Sequence, residues 1–337
     1  MYQKTSFIKD LAENVSIEDV FALDGMELLP FREKPGIFLK MRLTDRTGEV
    51  SAFVWDNAED VRLQIARSDF VKVSGIARIY RDKFSINVTT ASCVDGDMVD
   101  RNDFLPCTPK DRHSLLDELQ SHAEEINNHH LRNLLGVFFD DAEWIREFSN
   151  APAAKRMHQA YLGGLLEHTV NMIHLVPAVC SNYPQIDRDL LLTGVILHDI
   201  GKIEEYEYFR RITFSNQGNF LGHIILGIEI VSKAIDSLED FPDELKLRLL
   251  HMIASHHGRY EWQSPEIPKT AEAVLLHQLD LLDAEAYKIV AATCGKDDRG
   301  WSWSESLGRW VYAPGAESSD ENGNTELDGI WDDEPPF

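Results

Sequence analysis

The second half of the sequence places histidines and aspartates beside long apolar runs, where ionisable groups are costly unless they are paired. In GVILHDIGK (194–202), His198, Asp199 and Lys202 directly follow such a run. A shared metal ion satisfies several imidazoles and carboxylates at once, and nitrogen and carboxylate ligands without sulfur suit Mn, Fe, Zn, Co or, less well, Mg. Further candidate ligands occur in similar contexts: His168, His223, His256, His257 and Asp280.

Helical geometry would bring the polar residues of GVILHDIGK to one site. Adjacent residues on a helix are about 100° apart, so His198 and Asp199 can reach a site at the helix edge from either side. Lys202 follows one turn later, which directs its ammonium group to the same site, where it can meet a phosphate oxygen. The sequence shows no Ser/His/Asp or Cys/His nucleophile set, no P-loop and no G-x-G-x-x-G pattern.

The elements that must position these residues are helices. Between 113 and 313, successive segments repeat apolar residues at the i, i+3, i+4 spacing of amphipathic helices, and no segment has the alternation of a convincing strand. We therefore predict an all-α domain over 113–313. For its Trp-rich end, WSWSESLGRWVY (301–312), packing onto the helices is favoured over a wall of a substrate channel, because large aromatic side chains bury much apolar area.

The first part of the chain has the period of β-strands. Apolar residues alternate in GIFLKMRL and in VSAFVW, on either side of the turn TDRTGE, which indicates a β-hairpin. FVKVSGIARIY and FSINVTTA predict a second hairpin, with a bulge or sharp bend at Gly75. So many strands in a short stretch predict a small barrel over 1–98. The segment 99–112, with its prolines and acids, is interpreted as a linker.

The outward face of the first hairpin is a candidate nucleic-acid-binding surface. Aromatic rings stack on bases and neighbouring cations pair with phosphates, as single-stranded nucleic acids require. An equally good alternative is that this face packs on the second domain, since aromatic residues also serve protein interfaces. The residues on this non-core face are Phe38, Lys40, Arg42, Phe53 and Trp55.

Composition limits the class of protein. A net charge of −24 argues against a general polyanion binder, although residues 28–43 are locally basic. The four cysteines form no C-x-x-C, which fits a reducing cytoplasm without a disulfide framework. The sequence has no N-terminal signal core and no apolar run long enough for a bilayer, so we expect a cytoplasmic protein with no membrane partner. The acid-rich end, 314–337, is predicted to be a disordered tail.

The order of the candidate ligands resembles the HD-domain phosphohydrolase superfamily in its H…HD…H…HH…D form. The segment APAAKRMHQAYLGGLLEHT (151–169), taken with the N-terminal barrel, is similar to the YhaM-type 3'-5' exoribonucleases, which join an OB-fold to an HD domain. The resemblance covers roughly 14–313. It departs at Gln159, where that family often has a second histidine beside the one that corresponds to His158.

The resemblance implies two divalent ions, with manganese favoured. It assigns His168, His198, Asp199 and Asp280 to one ion. It assigns His223, His256 and His257 to the other, with Asp199 as the bridge, although one histidine of the 256–257 pair would alternatively contact substrate. The chemistry implied is metal-assisted hydrolysis of single-stranded RNA or DNA in the 3'-5' direction. The catalytic residues would be His198, Asp199 and Lys202.

Three other functions stay open at this point. The first is a phosphohydrolase acting on nucleotides or cyclic dinucleotides, with a regulatory barrel. The second is a di-iron oxygenase of the HD type, and the third is a non-catalytic nucleic-acid-binding module. The sequence is also compatible with a homo-oligomer.

Overall fold

A computed structural model describes residues 2–80, 83–156, 158–294, 300–305 and 307–313. The chain divides into two compact units. The first is Met1–Cys107 together with Tyr208–Arg211, and the second is Thr108–Glu207 together with Ile212–Phe337. The predicted acidic tail, 314–337, lies outside the described residues.

The first unit is a closed, OB-like barrel of five strands: β1 (Ser16–Pro30), β2 (Ile37–Asp45), β3 (Gly48–Val54), β4 (Phe70–Tyr80) and β5 (Lys83–Val94). Their order around the barrel is β1-β2-β3-β5-β4. The strands β3 and β5 are parallel, and the other neighbouring pairs are antiparallel. A short helix, α1 (Ala58–Ile65), follows the third strand.

Both predicted hairpins are confirmed. The β2–β3 pairing sets Met41 opposite Ala52, and both side chains are buried in the barrel core. The register of β4 and β5 shifts between Ser74 and Gly75, which confirms the predicted bulge. The bulge needs glycine because a Cβ at Gly75 would overlap the carbonyl oxygen of Asn87. Because side chains alternate between the two faces of each strand, these registers determine which side chains face outward.

The predicted linker is partly folded. Arg101–Asp103 form a 3-10 turn, and Val99 and Phe104 are buried in a small cluster with Val20 and Phe70 of the barrel. Residues 99–107 therefore belong to the first unit. Burial of these apolar side chains outweighs the linker-like composition of the surrounding acids and prolines.

The second unit consists mainly of helices, as predicted. Within the described residues these are α2 (Arg112–Glu124), α3 (His129–Phe139), α4 (Ala142–Asn150), α5 (Gly164–Asn182), α6 (Arg188–Leu197), α7 (Lys202–Glu205), α8 (Asn216–Asp236), α9 (Asp243–Ser255) and α10 (Ala271–Thr293). The expectation that this part lacks strands is wrong. Two short hairpins occur, β6 (Tyr206–Tyr208) with β7 (Ile212–Phe214) and β8 (Gly300–Ser304) with β9 (Arg309–Ala313). Strands this short give too few residues for a period to be recognised in the sequence.

Among the described residues, α8 is the one helix whose length and apolar composition would suffice to cross a membrane. Core helices meet the same criterion, so this is weak evidence for a membrane span. The helix packs against α7 and α9, and it carries one of the candidate metal ligands.

Candidate metal centre

Five helices and the turns after them bring the seven candidate ligands together. His168 lies on α5 and Asp280 on α10. His198 directly follows the last residue of α6, and Asp199 comes next in the turn before α7. The remaining imidazoles come from α8, which carries His223, and from the end of α9, which is followed by His256 and His257.

The ligand atoms form two groups. In the first, one atom each of His168, His198 and Asp280 lie within 4.8 Å of one another. In the second, atoms of His223, His256 and His257 satisfy the same limit. The first group offers two nitrogen donors and one oxygen donor, and the second offers three nitrogen donors, and both sets suit a transition-metal ion.

Asp199 lies between the two groups and contacts both. Its Oδ2 is 3.2 Å from Nε2 of His198 and 3.9 Å from Nε2 of His168. Its Oδ1 is 3.6 Å from Nε2 of His223 and 3.6 Å from Nε2 of His256. One carboxylate therefore directs one oxygen to each group, as a bridging ligand would.

Nδ1 of these imidazoles contacts the surrounding protein, and Nε2 is directed toward the centre of the site. Nδ1 of His198 faces the carbonyl oxygen of Val195 at 2.9 Å, and Nδ1 of His256 faces that of Ile253 at 2.8 Å. Buried atoms with no hydrogen-bond partner among the described residues then remain at the centre: Nε2 of His168, His198, His223 and His256, and Oδ1 of Asp199. Buried polar atoms are rarely left unpaired, so these orphaned atoms fit metal ions.

Burial and neighbouring side chains shift the pKa of two ligand imidazoles in opposite directions. Burial alone would lower the pKa of His168, but Asp280 and Asp283 outweigh burial and raise that pKa to about 9. In the second group, burial and the neighbouring His223 lower the pKa of His257 to about 4. Metal ligands must be deprotonated, so a metal in the first group would have to displace the proton on His168.

Lys202 is buried beside the bridge. Its Nζ lies 2.6 Å from Oδ2 of Asp199, and this attraction raises the lysine pKa although burial opposes the charge. Burial likewise opposes ionisation of Asp199, but Lys202 and His198 hold the pKa of this carboxyl well below its usual range. Both groups are therefore charged at neutral pH. The ammonium group lies at the centre as predicted, although the helix expected to run through these residues ends at Leu197 and α7 begins at Lys202.

Two carboxylates support the imidazoles: Asp283, which the sequence indicates as a helix-stabilising or supporting carboxylate before a ligand, and Glu205, which no sequence pattern singled out. Asp283 contacts Nδ1 of His168 at 2.7 Å, and Glu205 contacts Nδ1 of His223 at 3.0 Å. Asp283 is one turn after Asp280, so its position was a usable signal, but an i, i+3 carboxylate is common on exposed helices. Glu205 is the second glutamate of KIEEY and has no distinguishing local pattern.

The outward face of the barrel carries an aromatic cluster. Ring centroids of Phe38 and Trp55 are 5.0 Å apart, and those of Phe53 and Trp55 are 5.3 Å apart. Phe31, which precedes the predicted hairpin, extends the cluster, since its ring lies 5.3 Å from Phe38. Lys34 lies over the ring of Phe31 at 4.1 Å.

The two predicted cations of this face differ in their surroundings. Lys40 is exposed and lies on the same strand as Phe38. Nε of Arg42 lies 2.6 Å from Oδ2 of Asp24, so part of the arginine charge is neutralised. Whether this face contacts nucleic acid stays a prediction.

The Trp-rich end of the chain also forms an aromatic surface. Trp301 pairs with Tyr312 and Trp303 with Trp310 across the β8–β9 hairpin, and all four side chains are exposed. The prediction that this segment packs onto the helices is confirmed for β9, which contacts α10, but the reason given for it, burial of the aromatic side chains, is wrong. The hairpin instead buries Val311 on its other face, because alternation in a two-stranded sheet puts both aromatic pairs on the same side.

The helical fold and the histidine–aspartate centre define an HD-domain protein, and residues 165–285 match the HD domain family. Three curated relatives, each described as 3'-5' exoribonuclease YhaM, resemble most of the chain. The Bacillus subtilis (strain 168) protein is 34% identical over 74% of this chain and 78% of its own length. The Bacillus pumilus protein is 32% identical over 82% and 89%, and the Listeria welshimeri protein 37% identical over 73% and 78%. The chain therefore belongs to the YhaM 3'-5' exoribonuclease family.

Among solved structures, the second OB-fold domain of replication protein A from Methanococcus maripaludis matches 27% of this chain and 94% of its own length at 18% identity. Its TM-score of 0.23 is too low to support a structural inference.

Proposed function

We propose that this chain is a metal-dependent 3'-5' exoribonuclease that shortens single-stranded RNA with a metal-activated water. The observation that carries the proposal is the single carboxylate of Asp199 between two groups of inward-facing ligands. The direction of digestion comes from the family, whose described members are 3'-5' exoribonucleases.

Each ion would have its own set of residues. The first set is His168, His198, Asp280 and one oxygen of Asp199, and the second is His223, His256, His257 and the other oxygen. Divalent ions supply two things when bound: they lower the pKa of water and neutralise charge on a phosphate. Five imidazoles suit Mn, Fe, Co or Zn better than Mg, which prefers oxygen ligands. We propose manganese as the ion.

The chain's own residues would orient the phosphodiester and stabilise its charge. His198 and Asp199 would bind the metal ions, and Lys202 supplies a preorganised ammonium group beside them. In a buried site such a group stabilises negative charge that develops on the phosphate, because little water is present to screen it. The lysine needs no reorganisation, since Asp199 already holds it in place.

The aromatic face of the barrel would bind the single strand. Phe31, Phe38, Phe53 and Trp55 offer ring faces for stacking, and Lys34 and Lys40 offer charge for phosphates. Stacking tolerates any base, so we expect low sequence specificity. The strands β2 and β3 carry the face, and this is the surface on which OB-folds commonly bind oligonucleotides.

The decisive experiment uses one single-stranded RNA labelled at its 5' end, with added Mn²⁺ or with EDTA. A ladder of stepwise shortened 5'-labelled products, seen with Mn²⁺ and absent with EDTA, is expected. A DNA oligonucleotide of the same sequence tests whether the protein requires a ribose backbone. Release of phosphate from free nucleotides with intact RNA would instead support a nucleotide phosphohydrolase, and oxygen consumption by iron-loaded protein would support an oxygenase.

A further inference from the structure

We propose that Asp283 and Glu205 are positioning residues, each of which sets the metal affinity of a different ligand group. The inference rests on the proposed metal-dependent function. Neither carboxylate belongs to the two ligand groups. Each instead contacts Nδ1 of a ligand imidazole, on the side of the ring away from Nε2.

Asp283 holds His168 of the first group. Its Oδ2 lies 2.7 Å from Nδ1 of His168 and accepts a hydrogen bond from Nε2 of Gln159 at 3.0 Å. Its Oδ1 accepts from Nδ2 of Asn171 at 3.1 Å. Because two amide donors fix both oxygens, the carboxylate keeps one orientation toward the imidazole. Gln159 is fully buried and takes a left-handed backbone conformation, with φ of 46°.

Glu205 holds His223 of the second group by two contacts. Its Oε1 accepts a hydrogen bond from the backbone N–H of His223 at 2.9 Å and lies 3.0 Å from Nδ1 of the same residue. The backbone contact exists because Gly222, with φ of 68°, interrupts α8 immediately before His223. An interrupted helix leaves N–H groups without intrahelical partners. One oxygen thus fixes the backbone and the ring of His223 together.

The other three imidazoles have weaker support. Nδ1 of His198, His256 and His257 faces a backbone carbonyl oxygen, at 2.9, 2.8 and 2.7 Å. A carboxylate behind a histidine fixes the tautomer, as a carbonyl does, and also increases the basicity of the imidazole through its charge. Each ligand group therefore contains one carboxylate-supported histidine, and the two affinities can be changed independently.

The test is calorimetric titration of the metal-free full chain with Mn²⁺, using Glu205→Gln, Asp283→Asn and the double variant. Both substitutions keep the side-chain volume and remove the charge. We expect two binding phases in the unaltered protein. Each single variant should weaken one phase by about 10- to 100-fold, a different phase in each, and the double variant should weaken both.

Matched controls are Glu204→Gln, an exposed neighbour of Glu205, and Asp117→Asn, an exposed aspartate of α2. Both should leave the two phases unchanged. The unfolding midpoint without metal is measured in parallel, because a positioning role predicts weaker binding at an unchanged midpoint. If Glu205→Gln does not fold, Glu205→Asp keeps the charge at shorter reach and should weaken the same phase.

Two outcomes would overturn the inference while leaving the proposed function intact. One is two normal phases in both single variants. The other is loss of both phases together in either variant, since that would show a general structural role. An unaltered protein that binds no Mn²⁺ would refute the proposed metal dependence itself, and with it the inference.

Discussion

The aromatic face of the barrel and the metal centre are built in opposite ways. The face comes from the adjacent strands β2 and β3, its residues are near one another in the sequence, and its rings are partly exposed. The centre is buried and takes its ligands from helices spread over more than 100 residues of chain, from His168 to Asp280. Contributions to the face should therefore add, whereas in the centre the loss of Asp199 alone should affect both ligand groups at once.

The largest effect is expected at the shared carboxylate. Asp199→Asn keeps the size of the side chain but removes the charge that faces both ligand groups and Lys202. Because metal ions contribute several kcal/mol to such reactions, RNA cleavage should fall on the order of 10³-fold. Metal content and single-stranded RNA cleavage are measured together, with Asp117→Asn as the control. Retained cleavage with one ion lost would show that the two groups work independently.

A moderate effect is expected on the barrel face. Trp55→Ala removes the most exposed ring of the cluster, and each stacked base is worth about 1–3 kcal/mol. The affinity for single-stranded RNA should fall, while Mn²⁺ binding is unchanged. Phe84→Ala is the matched control, because Phe84 and Trp55 are equally exposed, at 40% each, but Phe84 lies outside the cluster. Equal losses of RNA affinity in the two variants would contradict a binding surface confined to the cluster.

A smaller effect distinguishes the two cations of the face. Lys40→Ala should reduce the slope of log affinity against log salt by about 1, as expected for one phosphate contact. Arg42→Ala should change the slope less, because Asp24 already neutralises part of the arginine charge. RNA affinity measured over a series of KCl concentrations checks this order. A larger change for Arg42 would mean that RNA displaces Asp24.

The smallest effect concerns the interruption of α8. A Cβ at Gly222 meets no atom closer than 3.9 Å, so Gly222→Ala costs only the backbone strain at φ 68° and ψ 161°, a region nearly confined to glycine, about 1–3 kcal/mol. The unfolding midpoint should fall by roughly 2–4 °C for each kcal/mol. The control is Gly136→Ala within α3, which should be neutral or stabilising because the added methyl group favours the helix. A midpoint unchanged by Gly222→Ala would argue against a fixed conformation at this position.

Local patterns were sufficient for most of the fold. The hairpin at Ile37–Val54 follows from alternation, and the bulge at Gly75 follows from a glycine inside a strand. The patterns failed where elements are short or where composition misleads. The hairpin of Tyr206–Phe214 has strands of three residues each, and Val99 and Phe104 are buried despite their polar neighbours.

The sequence alone determined the types of ligand and their order along the chain. Histidines and aspartates beside apolar helical runs are costly unless they have a partner, and a shared metal ion is a partner that satisfies several of them at once. It also determined which side chains of β2 and β3 face outward, since strand alternation is local. The division of the ligands into two groups around Asp199 was implied by the family resemblance and by no local pattern, and only the tertiary structure decided which imidazoles have Glu205 or Asp283 behind them. Those contacts join residues far apart in the chain, and helix packing, which no local period encodes, brings them together.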